Sequence, residues 1–374
     1  MKGKGAKFSY SESEFGGYRV SIESMQANTD VVFPSQYKGQ DIVEIGKCLC
    51  EFCPTSITIP ASVKNINKFA FSDCKLLKRV IFEEDSQIGV IEQGAFRKCE
   101  ALEEINVPDT GKCLVISDWA FADCKSLKEI TLPEGLIVLG EYAFSDCTSL
   151  EKITFHPDIE FPEIKKSTFG GCTALTEIVI PKEVKRIETC AFRGCTSLSK
   201  ITFAEGSLLS YIGESILRET AVAELDLTPC TNLVWLESFA CSSDALSKVI
   251  FPIGCNPKIK DNAFRQGAVE FVNKPHTCNI RGKNEKQRGC YVATCVYGSY
   301  DCPQVWVLRR YRDEVLASHF WGRCFIKLYY AVSPTLVRWF GEIRFFRRIC
   351  KKRLDKMVSN LQKRGIENTF YDDL

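Results

Sequence analysis

Histidine is nearly absent from this chain: His156, His276 and His319 are the only three among 374 residues. They stand in unrelated contexts, and none belongs to a metal-binding or triad motif. Nothing in their spacing supports a Cys–His catalytic pair. A glycine-rich phosphate loop is missing too. Catalysis by histidine or on a nucleotide therefore has no footing in the sequence, and no cofactor is expected. Long apolar runs are also lacking, since no stretch approaches the roughly 18 uninterrupted apolar residues of a spanning helix. The segment Met1 to Tyr10 is charged, but no apolar run of signal-peptide length follows it. The expectation is a cytoplasmic protein, with a cell-surface or secreted location as the alternative if a signal has been removed.

Net charge is low as well, at +2, but its distribution is uneven. Residues 281–374 hold 19 Lys+Arg and 9 Asp+Glu, a balance of +10, and the remaining residues hold 30 and 38, a balance of −8. An acidic body with a basic tail domain is the reading.

What the chain has in excess is repetition. The phrase Ala-Phe-x-x-Cys recurs as Ala70-Phe71 to Cys74, Ala95-Phe96 to Cys99, Ala120-Phe121 to Cys124, Ala143-Phe144 to Cys147 and Ala191-Phe192 to Cys195, with Phe169 to Cys172 as a variant. The phenylalanines are 25, 25, 23, 25 and 23 residues apart. A fixed period in this range signals a solenoid, in which each unit buries its apolar face only by stacking on its neighbours. In the unit after Phe96, Ile105 and Val107 alternate with Glu104 and Asn106, as in a strand with one buried face. Pro108 then stops the ladder. Val115 and Ile116 begin a second short piece, extended or helical, that leads to the next Ala-Phe. Weaker copies follow: Ile216-Leu217, Phe239 with one extra residue, and a shortened Ala263-Phe264 unit. About nine or ten units span residues 18–280. They give a stack about 45 Å long at the spacing of adjacent strands.

Most of the 20 cysteines fall at one position of the repeat. There they read as free, buried thiols stacked on one another rather than as disulfide halves, because free cysteine packs as a small apolar side chain. That favours a reducing compartment.

These units resemble the BspA-like leucine-rich repeats, whose pattern is I-x-x-x-A-F-x-x-C-x-x-L-x-x-I-x-[LIF]-P. The resemblance implies an α/β right-handed solenoid with one parallel β-sheet face, and roles in adhesion or protein binding. Family members are often exported. Outward strand positions form two columns. The first is Arg79, Glu104, Glu129, Lys152, Glu177, Lys200, Glu224 and Lys248; the second is Ile81, Asn106, Thr131, Thr154, Val179, Thr202, Asp226 and Ile250. The first column is a candidate binding surface for a protein partner. Equally, mixed charges and threonines are what any exposed sheet needs for cross-strand pairing. Neither column carries the aromatic cluster that favours a binding hot spot.

Cys48, Cys50 and Cys53 form a C-x-C-x-x-C cluster in the first, degenerate unit. Three ligands of a tetrahedral zinc ion, with Cys74 as a fourth, are one reading; core cysteines of a capping unit are the other, favoured by the many relatives of these residues along the stack.

A polar linker, residues 281–288, precedes a different domain, 289–374. Gln304 to Ala317 has helical spacing of Val305, Leu308, Val315 and Leu316. Ser333-Pro334 is a helix start, and the run from Thr335 to about Arg364 is basic and aromatic. The blocks C-Y-V-A-T-C-V-Y-G-S, L-R-R-Y-R-D-E-V-L and Y-Y-A-V-S-P resemble the CFI-box C-terminal domain of bacteria and archaea, across residues 290–341. A small, mainly α-helical domain is expected. Cys290 is a candidate nucleophile or modification site, against the commoner reading of a core thiol. Arg309, Arg310 and Arg312, with Asp313, form an internal ion-pair set or an anion site. Arg347 and Arg348 lie on the basic run, which suits docking on the acidic solenoid, an anionic membrane surface or an acidic partner better than nucleic acid. The whole reads as a non-catalytic, protein-binding scaffold. The rivals are a catalytic or modified-cysteine module in the C-terminal domain, or a basic membrane-surface anchor there.

Overall fold

The structure is a computed structural model. It describes residues 6–26, 29–48, 53–109, 114–260, 262–264, 269–275, 277–278, 291–297, 302–323, 325–326, 328–329 and 344–368. Cys50, Cys290, His276 and residues 330–343, which include Ser333-Pro334, lie outside them.

Each repeat lays down a strand in which exposed and buried residues alternate, as in Arg79–Phe82, Glu129–Leu132, Glu177–Ile180 and Lys200–Phe203. The buried members face the core because successive side chains of a strand point to opposite faces. These strands pair in parallel, in runs of four, two, two and three. The second short piece of each unit is also a strand. Asn65–Ile66, Val90–Ile91 and Leu114–Ile116 stack in parallel within one sheet, and Glu163–Ile164, Arg186–Ile187, Tyr211–Ile212, Trp235–Leu236 and Lys258–Ile259 form another. The molecule is thus a parallel β-solenoid of about ten turns, with sheets on two sides rather than one. At its N-terminal end Ala6–Glu12 pairs antiparallel with Tyr18–Met25, which in turn pairs in parallel with Gln40–Cys48. This hairpin covers the open end of the sheet, as terminal repeats of a solenoid must.

The turn that carries Ala-Phe-x-x-Cys has two residues per unit with left-handed backbone. One position is Phe69, Gly94, Trp119, Tyr142, Ser167, Cys190, Ser215 and Phe239; the other is Asp73, Lys98, Asp123, Asp146, Gly171, Gly194 and Glu219. Side chains other than glycine, asparagine and aspartate rarely adopt φ near +55°. The return is hydrogen bonding between turns. Phe69, Trp119 and Tyr142 donate their N–H groups to the carbonyls of Gln93, Glu141 and Lys166 in the next turn at 3.0, 2.9 and 2.9 Å. Asp73 donates to Arg97 at 2.8 Å, and Phe71, between them, donates to Ala95 at 2.7 Å.

The core between the sheets is a ring ladder. Phe71, Phe96, Phe121, Phe144, Phe169 and Phe192 stack with centroids 5.2 to 5.9 Å apart and planes within 12° of parallel. Beside it runs the thiol ladder. Sγ of Cys99, Cys124, Cys147, Cys172 and Cys195 donates to the carbonyl of Phe71, Phe96, Phe121, Phe144 and Phe169, at 3.0 to 3.3 Å. Each cysteine thus fills a small apolar site and satisfies a buried acceptor of the preceding turn. No disulfide joins them.

The weaker units diverge at one point. Phe239 is not a core ring: it is 45% exposed at a left-handed position, and the adjoining Ala240-Cys241 takes the buried Ala-Phe place. The ring ladder ends accordingly at Phe192, and Leu217 and Cys241 continue the core without stacking.

In the C-terminal part, α1 (Tyr291–Tyr297), α2 (Pro303–Arg310), a π-helical segment (Tyr311–Leu316) and α3 (Arg344–Lys363) are helical. Ala293, Val305, Val307, Leu308, Val358 and Leu361 form a small core of their own. Pro303 stands in the first turn of α2, where its missing N–H costs nothing.

Candidate interaction surface

The first outward column lies on the surface as expected, with seven of its members exposed and Lys248 half-buried. Its charges oppose each other across strands. Arg79 is in register with Glu104, Glu129 with Lys152, Glu177 with Lys200, and Glu224 with Lys248. Lys248 and Glu224 close to 3.1 Å. This face neutralises itself, which suits sheet stability more than ligand capture.

The opposite sheet presents a different row. Glu163, Arg186, Tyr211, Trp235 and Lys258 are successive in-register neighbours on five parallel strands. The following residue in each strand, Ile164, Ile187, Ile212, Leu236 or Ile259, points inward, which turns the named residue outward. The Arg186 guanidinium lies 3.9 Å from the centre of the Tyr211 ring. Its Nη2 is 2.8 Å from Oε1 of Glu188, and its Nε is 3.7 Å from Oε1 of Glu163. Trp235 donates its indole N–H to Glu237 at 2.7 Å. The ammonium groups of Lys258 and Lys260 each sit 5.3 Å from the Trp235 ring. Burial, and then the carboxylates of Glu237 and Glu188, push the Tyr211 phenol above its ordinary value against the opposing pull of Arg186. Two half-buried aromatic rings and Arg186 are thus held together with the exposed Lys258 and Lys260, and the carboxylates of Glu163, Glu188 and Glu237 balance the three cations.

Sequence reading missed this row because it assigned no sheet to the second piece of the repeat. The signal was present: Arg186-Ile, Tyr211-Ile, Trp235-Leu and Lys258-Ile occupy one phase of the repeat. Further aromatics lie in the left-handed turn positions. Trp119 and Tyr142 stack with centroids 5.5 Å apart, and Lys166 lies 5.6 Å from the Tyr142 ring. Phe69 covers Gly94, where a Cβ would meet its ring at 2.5 Å.

Two groups of potential metal ligands converge. Cys48 and Cys53, of the sequence cluster, meet Cys74 with all three Sγ atoms within 4.8 Å of one another. Asp109, Glu134 and His156 also converge, with both carboxylates exposed, although no spacing in the sequence joins them. In the C-terminal part Arg309 and Arg312 are buried, and Arg312 makes a two-pronged ion pair with Asp313. Arg310 is 3.6 Å from Glu314. These contacts fit the internal ion-pair reading of the set. Arg348 is exposed on α3; Arg347 lies on the same helix, and its side chain is outside the described residues. Among the described residues no helix is long and apolar enough to cross a membrane.

A family model for the BspA type leucine rich repeat region matches residues 43–161 and 162–284, in six copies. The chain belongs to the BspA-type leucine-rich-repeat family. This BspA-type chain is similar to the crystal structure of a leucine-rich repeat protein from Bacteroides ovatus. Identity is 25%, the match covers 73% of this chain and 79% of that one, and the TM-score is 0.51. It is also similar to a leucine rich cell surface protein from Faecalibacterium prausnitzii, at 23% identity over 73% and 89% of the two chains, with a TM-score of 0.48. A leucine-rich repeat protein of T. pallidum matches at 24% identity over 57% and 86%, with a TM-score of 0.41. No curated protein matches. Solenoids of this kind generally serve as protein-interaction surfaces.

Proposed function

We propose that the BspA-type chain is a non-catalytic scaffold that binds a protein partner through the sheet bearing Arg186, Tyr211, Trp235 and Lys258. The observation that carries this reading is the in-register row itself. Binding energy concentrates on tryptophan, tyrosine and arginine held in partly desolvated, ordered positions. Here the rings and the guanidinium are already fixed by one another, which reduces the ordering cost of association. The self-neutralised column from Arg79 to Lys248 then serves the sheet, and the thiol ladder suits a reducing compartment. The helical C-terminal part, read as a CFI-box domain from its sequence blocks, adds a second module whose basic helix α3 suits an acidic partner or an anionic membrane surface.

The test is affinity capture from native cells with the intact chain, an Arg186→Ala/Tyr211→Ala/Trp235→Ala variant and a Glu177→Ala/Lys200→Ala variant of the opposite face. A protein retained by the intact chain and the second variant, lost by the first, and bound directly once purified supports the proposal. Equal capture by all three proteins, or loss with the second variant alone, refutes it.

A further inference from the structure

The thiol ladder breaks its own rule at its first member. From Cys99 to Cys195 each Sγ donates to the carbonyl of a phenylalanine one turn earlier. Cys74 occupies the same position of the repeat but has two other thiols beside it. Cys48 ends the strand Gln40–Cys48, and its N–H donates to the Ala70 carbonyl at 2.7 Å, which fixes the strand end against the turn leading to Cys74. Cys53 enters from the segment that follows. Cys74 is buried, whereas Cys48 and Cys53 are half-buried and give access from solvent.

Neither Cys48 nor Cys53 belongs to the Ala-Phe-x-x-Cys phrase, so the stacking that explains the other thiols does not explain this pair. Three side chains from separate places in the turn bring sulfur to one point, with every Sγ–Sγ distance inside 4.8 Å. A tetrahedral zinc ion with Zn–S bonds of about 2.3 Å needs sulfurs about 3.8 Å apart. Closing the trio onto one ion therefore takes movements of about 1 Å or less. A dication offsets the thiolate charges as it displaces the thiol protons. The soft all-sulfur donor set selects zinc over magnesium or calcium. The exposed Asp109–Glu134–His156 group offers harder ligands and no comparable burial.

We infer that Cys48, Cys53 and Cys74 form a structural zinc site that ties the N-terminal cap to the first full repeat, with the fourth position filled by a ligand outside this trio. The site joins the end of strand Gln40–Cys48, which pairs on its far side with Tyr18–Met25, to the turn that opens the first full repeat.

The experiment uses the full chain, produced with zinc in the medium and purified under reducing conditions. Metal content is measured by mass spectrometry, and the apo-protein is titrated with Co2+. The expected result is close to one zinc per chain, together with a thiolate-to-cobalt charge-transfer band and tetrahedral visible bands. Cys48→Ser/Cys53→Ser is expected to weaken zinc binding by more than the roughly 10–100-fold that loss of an outer-shell partner costs. Cys195→Ser, in the ordinary ladder, is expected to leave it unchanged. Absence of both zinc and the cobalt–thiolate band in the unaltered chain overturns the inference, whether or not the variants fold. So does full zinc retention in the double variant.

Discussion

The thiol of Cys147 donates to the main-chain carbonyl of Phe121, 3.2 Å away in the preceding turn. The same contact recurs from Cys99 to Cys195, and it explains why the repeat keeps cysteine where alanine or valine would also be apolar. The same carbonyl also accepts the Cys124 N–H at 3.3 Å, so the thiol supplies a second hydrogen bond, worth about 0.5–1.5 kcal/mol net.

Cys147→Ala is therefore expected to destabilise the solenoid by about that amount, plus the loss of packed sulfur. Cys147→Ser, which keeps a donor, is expected to cost less. Denaturant midpoints of the two variants check this. If they are equal, the thiol acts as filler alone.

The thiol ladder also sets a pH limit. Burial pushes Cys147 from its ordinary 9.0 up to about 12, and Cys230 to the same value. A raised folded-state pKa contributes stability that is present below the unfolded value and lost as pH rises through the folded one. Thermal midpoints of the reduced protein should be flat to about pH 9 and fall between pH 9 and 12. Cys147→Ala should make that fall shallower. A midpoint indifferent to pH across this window contradicts the buried protonated stack.

The ring ladder carries the largest single packing contributions. Phe121→Ala removes a ring stacked between Phe96 and Phe144 at 5.3 and 5.2 Å and is expected to cost about 3–5 kcal/mol. Phe239→Ala, at an exposed place, should change the denaturation midpoint far less. Comparable losses at both positions would show that the weaker unit has been placed wrongly.

Backbone conformation makes its own prediction at the second left-handed position. Gly194 has φ +77°, and a Cβ there meets no atom closer than 3.6 Å. Gly194→Ala should thus cost only the left-handed penalty, about 1–2 kcal/mol. Lys98 sits at the corresponding place with φ 60°. Lys98→Gly should be neutral or slightly stabilising, since relief of that penalty opposes the added chain entropy of glycine. Equilibrium unfolding of both variants tests the pair, and a stabilising Gly194→Ala would refute the assignment.

The aromatic row should separate binding from stability. Arg186→Ala removes a cation–ring contact worth about 0.5–1 kcal/mol at an accessible site, so the thermal midpoint should move little while partner capture is lost. Arg186→Lys should restore capture poorly, because an ammonium does not reproduce the planar guanidinium over Tyr211 with its bonds to Glu188. Full capture by Arg186→Ala would remove this row from the interface.

The sequence by itself determined the solenoid, its period and its core. Phe, Cys and Leu recurring every 23 or 25 residues leave one way to bury a face that no single unit can bury alone. It also determined which residues of the longer strands face outward, since strict alternation encodes that directly. Phe239 was misread because a phenylalanine at nearly the right spacing resembles a core ring until the buried Ala240-Cys241 beside it fixes the register. Only the tertiary structure made the second piece of each repeat a sheet. A strand of two residues is too short to show a period of its own, and its hydrogen bonds go to residues a full turn away. The same cause hid the Arg186–Tyr211–Trp235–Lys258 row, whose members meet only when the turns stack. The convergence of Cys48 and Cys53 on Cys74 was likewise settled in three dimensions, because the path of the chain between repeats, and not spacing along it, sets the distance between their sulfurs.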